Sequence, residues 1–138
     1  MIAPDQVVHE ARSWLGTPFH HQARLKGVGV DCVGLIVGVC NALGIPVEDT
    51  TNYQRFPNGY LLAKEFERQF IKKFTQPEAG DIMLFRISRM PQHCAICTPI
   101  GLIHSHQGVK GVIETSLPSH WRSHLIASFR LPGVQLCN

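Results

Sequence analysis

The opening residues Met1-Ile2-Ala3-Pro4-Asp5-Gln6 lack a basic run followed by a long apolar stretch, and no segment holds the roughly 20 apolar residues of a membrane span. The expectation is therefore a chain made in the cytoplasm without a signal peptide and without a membrane span. Internal repeats, low-complexity tracts and linkers are missing as well. No basic stripe with interleaved aromatics exists, and a net charge of +3 is too small to argue for nucleic acid, although it suits an anionic substrate. Charged residues are few, 17% against 44% apolar, which is a globular balance that excludes disorder. The 138 residues fit one domain, 1–138, with one core. Five cysteines, Cys32, Cys40, Cys94, Cys97 and Cys137, are an odd count and point to free thiols, not a disulfide framework.

What is present divides into helices first and strands afterwards. Pro4 and Asp5 open a helical stretch to about Leu15, with Val7, Val8, Ala11 and Leu15 on one stripe and Gly16 as its stop. Residues 17–30 read as a structured loop. Asp31 can cap a helix from Cys32 to Leu43 that stops at Gly44, and its nearly all-apolar sequence must lie inside the domain. After a loop over 45–58, Leu62, Phe66 and Phe70 recur every four residues and predict a helix over 60–74. Five strands follow, at 81–87, 93–98, 102–107, 112–117 and 125–131. The fold class is α+β, with N-terminal helices packed on a five-stranded antiparallel sheet.

Cys32 is the first candidate for chemistry. At a helix N-terminus, the dipole and unpaired N–H groups favour a thiolate and can receive an oxyanion. The competing reading is an ordinary buried cysteine. A nucleophilic cysteine needs a base, and His93 follows Pro91 and Gln92 at the start of a strand. Thr98-Pro99-Ile100-Gly101 reads as a tight turn. A two-residue hairpin centred on Pro99 and Ile100 sets His93 opposite His106 and Ala95 opposite His104, so that His93, His104 and His106 share one sheet face. Either later histidine can orient His93 as a third triad member. Cys94-x-x-Cys97 also has a zinc-ligand spacing, but residues three apart on a strand face opposite sides, and no second such pair exists. The expectation is no metal.

Taken in order, these blocks resemble the NlpC/P60 cell-wall peptidases. Gly16-Thr17-Pro18-Phe19 leading to Gly29-Val30-Asp31-Cys32-Val33-Gly34-Leu35 resembles that family's cysteine block. Pro77-Glu78-Ala79-Gly80-Asp81-Ile82 resembles its entry into the first sheet strand, His93-Cys94-Ala95-Ile96 its base strand, and Leu102-Ile103-His104-Ser105 its third-residue strand. The resemblance covers roughly residues 10 to 117. It implies a papain-like domain with Cys32 as nucleophile, His93 as general base and His104, not His106, as orienting residue. Around them, Phe19, His20, His21, Asp31 and His106 are the candidate substrate-binding residues.

The implied activity is a cysteine peptidase hydrolysing amides beside D-glutamate and diaminopimelate in peptidoglycan stem peptides, with no cofactor. His20-His21-Gln22-Ala23 resembles phage and gene-transfer-agent members, which implies a particle component with phage-tail-like assembly partners that opens the wall during delivery. Two positions depart from the family pattern. Phe19 stands where a tyrosine helps the oxyanion site, leaving the Cys32 backbone N–H with His20 or His21 as stand-ins, and Val33 replaces the usual serine. The rivals are an amidase or acyltransferase on the same scaffold, and a tail domain that keeps the fold without activity, which Phe19 favours.

Overall fold

The computed structural model describes residues 1–49, 59–87, 90–109 and 111–135. Most of the expected 45–58 loop, and Cys137, fall outside that set. Helix α1 spans Pro4–Arg12 and begins on Pro4, whose missing N–H costs a first helical turn nothing. It buries Val7, Val8 and Ala11. The helix ends three residues before the expected Leu15. Residues 13–16 wind on as turns, and Gly16, at φ 87°, turns its N–H to the Val112 carbonyl at 3.1 Å. A tertiary partner takes the chain out of the helix there.

Helix α2 spans Cys32–Leu43, as expected, with Asp31 as N-cap and Gly44 in the left-handed conformation after it. Its two interior glycines each admit a close neighbour. A Cβ on Gly38 would meet the Trp14 ring at 2.2 Å, so glycine lets the segment after α1 lie against α2. A Cβ on Gly34 would meet the Ala23 carbonyl oxygen at 2.5 Å. That contact brings in a small hairpin of strands β1 (Arg24–Leu25) and β2 (Gly29–Val30).

Helix α3 runs Gly59–Gln69 and buries Leu62 and Phe66, with buried Phe70 directly after it. The expected helix to residue 74 stops early because Ile71–Lys73 becomes strand β3, paired with the C-terminal strand β8 (Leu125–Arg130) through Ile71↔Arg130 and Lys73↔Ser128. Lys73 pins it with ion pairs to Asp81 at 2.5 Å and Glu78 at 3.3 Å. The sheet therefore has six strands instead of the expected five. A helical period in residues 62–70 carries no information about an edge strand whose partner lies more than fifty residues away.

The other strands are β4 (Ile82–Ile87), β5 (Met90–Cys97), β6 (Leu102–His106) and β7 (Gly111–Thr115). The order across the sheet is β3-β8-β4-β5-β6-β7, antiparallel at every step. A single turn of helix, α4 (Ser119–Arg122), joins β7 to β8. The pleat sorts side chains onto two faces. Ile82, Leu84, Cys94, Ile96, Ile103 and Phe129 pack with Val7, Ile36, Phe66 and other helix residues in the main core. Met83, Phe85, Ala95, Cys97 and Leu102 form a smaller cluster on the opposite face, against Leu117, Trp121 and Leu125. Cys94 and Cys97 thus lie on opposite faces, as their strand spacing requires.

Candidate active site

Cys32 opens α2, and Asp31 fixes where that opening falls. The Asp31 carboxylate accepts the Gly34 N–H at 2.8 Å, the Gln22 N–H at 2.7 Å and the Arg24 guanidinium at 3.0 Å. Gln22 reaches it from a left-handed turn, φ 62°. With both oxygens hydrogen-bonded and only 3% exposure, Asp31 ties the preceding loop to the helix. Its capping position is a local feature of the sequence, but its partners Gln22 and Arg24 are not.

The second side of the site comes from β5 and β6. Their pairing is Ile96↔Ile103 and Cys97↔Leu102, joined by the tight turn in which the Thr98 N–H donates to the Gly101 carbonyl. Continued outward, this register sets His93 across from His106, as the hairpin argument expects. A bulge in β5 between Pro91 and His93, where β4 pairs shift from Phe85↔His93 to Arg86↔Pro91, aims the imidazole. The His93 ring centroid lies 5.0 Å from His104 and 5.3 Å from His106. Ring distance alone leaves the two tied.

Hydrogen bonding separates them. His93 Nε2 and His104 Nδ1 are 2.7 Å apart, while His106 Nδ1 accepts the Gly108 N–H at 3.2 Å. Burial first, then His93 and His106, push the His104 imidazole down to about 3. His104 is therefore neutral at ordinary pH and can accept a proton-bearing His93 Nε2–H, with its own proton on Nε2. His106 is also lowered, by burial and by His93, with Cys32 acting the other way.

The Cys32 thiol is held well below its ordinary range. The Cys94 thiol hydrogen bond contributes most; burial opposes it, and the His93 hydrogen bond and charge add to the lowering. Cys94, fully buried, moves the opposite way, chiefly through burial and then through its bond to Cys32. Burial likewise raises Cys40 to about 12 and Cys97 to about 11. Cys32 keeps partial solvent access; these three are buried. Ser105, the last residue of the 102–105 block and assigned no role there, fastens the two halves: its hydroxyl donates to the Val30 carbonyl at 2.6 Å and bolts β6 to the segment entering α2.

The remaining candidates lie around the loop. Phe19 bridges to Val30 and is half-buried, and Pro18 bridges to Gly111, so this block seams β7 to β2. His20 is exposed, with its Nδ1–H directed at the His21 carbonyl at 3.2 Å, and His21 is half-buried in the turn. The His20 imidazole is thus engaged with its own loop, whereas His106 stacks on His104 and meets His93 edge-on. Among the described residues, no three or more His, Cys, Asp or Glu side chains converge to hold a metal ion, and no helix is long and apolar enough to cross a membrane. Trp121 carries no signal in the local sequence, yet its indole touches all three imidazoles.

A helix-plus-sheet domain with a cysteine at a helix start, facing a histidine pair on adjacent strands, defines a cysteine–histidine class of site. Residues 16–130 match the model of the NlpC/P60 family, and the chain belongs to that family. Solved structures agree in fold. The NlpC/p60 domain of the peptidoglycan hydrolase SagA matches with a TM-score of 0.64 at 22% identity, over 93% of this chain and 98% of that one. A Bacillus cereus NlpC/P60 family protein matches with a TM-score of 0.70 at 18% identity, over 93% of this chain and 40% of that one. A Staphylococcus aureus protein described as similar to lipoprotein, NLP/P60 family, gives 0.67 at 20%, over 93% and 41%. The chain thus spans about two fifths of the Bacillus and Staphylococcus proteins. No curated protein sequence matches it.

Proposed function

We propose that this chain is a cysteine endopeptidase acting on peptidoglycan stem peptides, with Cys32 as nucleophile, His93 as acid and base, and His104 as orienting residue. The observation that carries this reading is the 2.7 Å bond from His93 Nε2 to His104 Nδ1 beside a cysteine thiol lowered at a helix start. With Nε2 committed to His104, Nδ1 of His93 is left for the thiol. The thiolate attacks the amide carbonyl carbon, and the oxyanion meets the Cys32 N–H at the start of α2. His93 gives its proton to the leaving amine as the C–N bond breaks, leaving a thioester. His93 then takes a proton from water, which attacks the thioester; the C–S bond breaks, the acid leaves, and the Cys32 thiolate and protonated His93 are restored.

Family membership and the cell-wall activity of a fold relative support peptidoglycan as the substrate. D-glutamyl-diaminopimelate amides are the bond class we assign. The His20-His21-Gln22-Ala23 variant supports a role as a phage-like particle component that meets the wall during delivery, with particle assembly proteins as partners. Incubation with a defined muropeptide, followed by mass spectrometry of the products, tests the reading. Release of the fragments expected from that amide is the predicted result; intact stem peptide with a cleaved sugar–peptide amide would instead indicate an amidase. Iodoacetamide near neutral pH is a second check: the Cys32 peptide should be labelled while those of Cys40, Cys94 and Cys97 stay unmodified in folded protein.

A further inference from the structure

Trp121 stands where four rings meet. Its centroid lies 5.4 Å from His93, 5.2 Å from His104, 5.5 Å from His106 and 5.4 Å from Phe85. The indole crosses the His93 and His104 planes at 80° and 85°. It is delivered by α4, a single turn begun at Pro118 and closed by the His124 N–H on the Trp121 carbonyl at 2.8 Å. The residue is half-buried, so the ring forms an outer wall over the imidazoles.

We propose that Trp121 is a positioning residue for the reaction described above: its indole holds His93 edge-on to the stacked His104 and His106 rings and favours the protonated form of His93. The inference rests on the Cys32–His93 reading. His93 has two imidazole neighbours at nearly equal ring distance and one productive bond, to His104. An outer wall that touches all three rings removes the rotations that would exchange one neighbour for the other. An imidazolium that meets the face of an indole within about 6 Å of its centroid is also attracted to the π-system, most strongly where water is excluded. Favouring the imidazolium favours the thiolate of Cys32, so Trp121 acts on the nucleophile without touching substrate.

The test follows the pH dependence of Cys32 alkylation by iodoacetamide, read as the rate on the Cys32 peptide, together with muropeptide turnover. Trp121→Leu should move the midpoint of the alkylation profile up by about one pH unit and lower kcat about tenfold with KM nearly unchanged. Trp121→Phe should recover most of both. Biosynthetic replacement with mono- to tetrafluorotryptophan weakens the π-face without changing ring shape, and it decides the matter should Trp121→Leu not fold. The other tryptophan, Trp14, lies against Gly38 of α2, away from the imidazoles. A midpoint rising steadily with fluorination supports the proposal, and superimposable profiles across the series overturn it. Should the wild-type protein cleave no muropeptide, the peptidase reading fails while the alkylation series still decides the role of Trp121.

Discussion

The two faces of the sheet are built from the same strands and do different work. On the helix side, Leu84, Cys94, Ile96, Ile103 and Phe129 are essentially unexposed and pack in the apolar core with residues from α1, α2 and α3. On the other side, the next residues along, Phe85, Ala95 and Leu102, lead to His93, His104 and His106 under Trp121. One-residue alternation thus places stability and chemistry back to back on β5 and β6. The first face excludes water; the second brings imidazoles within hydrogen-bond reach of one another beneath an indole. Cys94 and Cys32 mark the seam: one thiol belongs to the core and the other reaches the surface.

The largest contrast should come from the seam itself. Cys32→Ala is expected to abolish muropeptide hydrolysis, a loss above about 1000-fold, while circular dichroism and melting stay near wild type. Undiminished turnover would remove the peptidase reading. On the helix-side face the order reverses: Phe129→Ala should cost about 3–5 kcal/mol in denaturant unfolding, because it empties a fully buried site where its ring meets Phe66 edge-on at 5.7 Å. His106→Ala, on the other face, should cost about 1 kcal/mol or less by the same measurement.

Within the histidine face, His104→Ala should lower kcat about 10- to 100-fold, and His106→Ala only a few-fold, since His104 makes the bond to His93 Nε2. Equal losses would mean that ring packing, not the hydrogen bond, orients the base. The face should also respond to acid. The folded value of about 3 for His104 lies below its ordinary 6.5, so the unfolded chain takes up the proton first. The stability associated with the neutral ring is fully present above about pH 6.5 and falls as pH drops toward 3, by on the order of 3 kcal/mol at pH 4. Urea unfolding of His104→Gln, which has no such proton to gain, should show a shallower fall over that window. The smallest effect is expected from chelation: a strong chelator should leave activity within experimental scatter, and stoichiometric zinc lost together with activity would reverse the assignment of the site.

Much of this contrast is legible in the amino-acid sequence. Asp31 and Gly44 bracket α2 because a carboxylate cap and a left-handed glycine are local devices, and Cys32 lands at the helix start as a consequence. The strand pleat and the Thr98–Gly101 turn together assign His93, His104 and His106 to one face, since a period of two and a tight turn fix facing from a dozen residues of chain. Local pattern stops short where partners lie far along the sequence. The sixth strand exists because Ile71–Lys73 meets β8, the Asp31 carboxylate is occupied because Gln22 and Arg24 fold back onto it, and Trp121 arrives over the imidazoles from a turn beyond β7. The hairpin register by itself leaves His104 and His106 tied as partner of His93; the resemblance of the 102–105 block chooses His104, and the geometry that brings its Nδ1 to 2.7 Å is of the same kind. Periodicity says which way a side chain points, but strand twist and the bulge before His93 set which of two nearly equidistant rings its nitrogen meets, and those are settled only when the whole sheet packs.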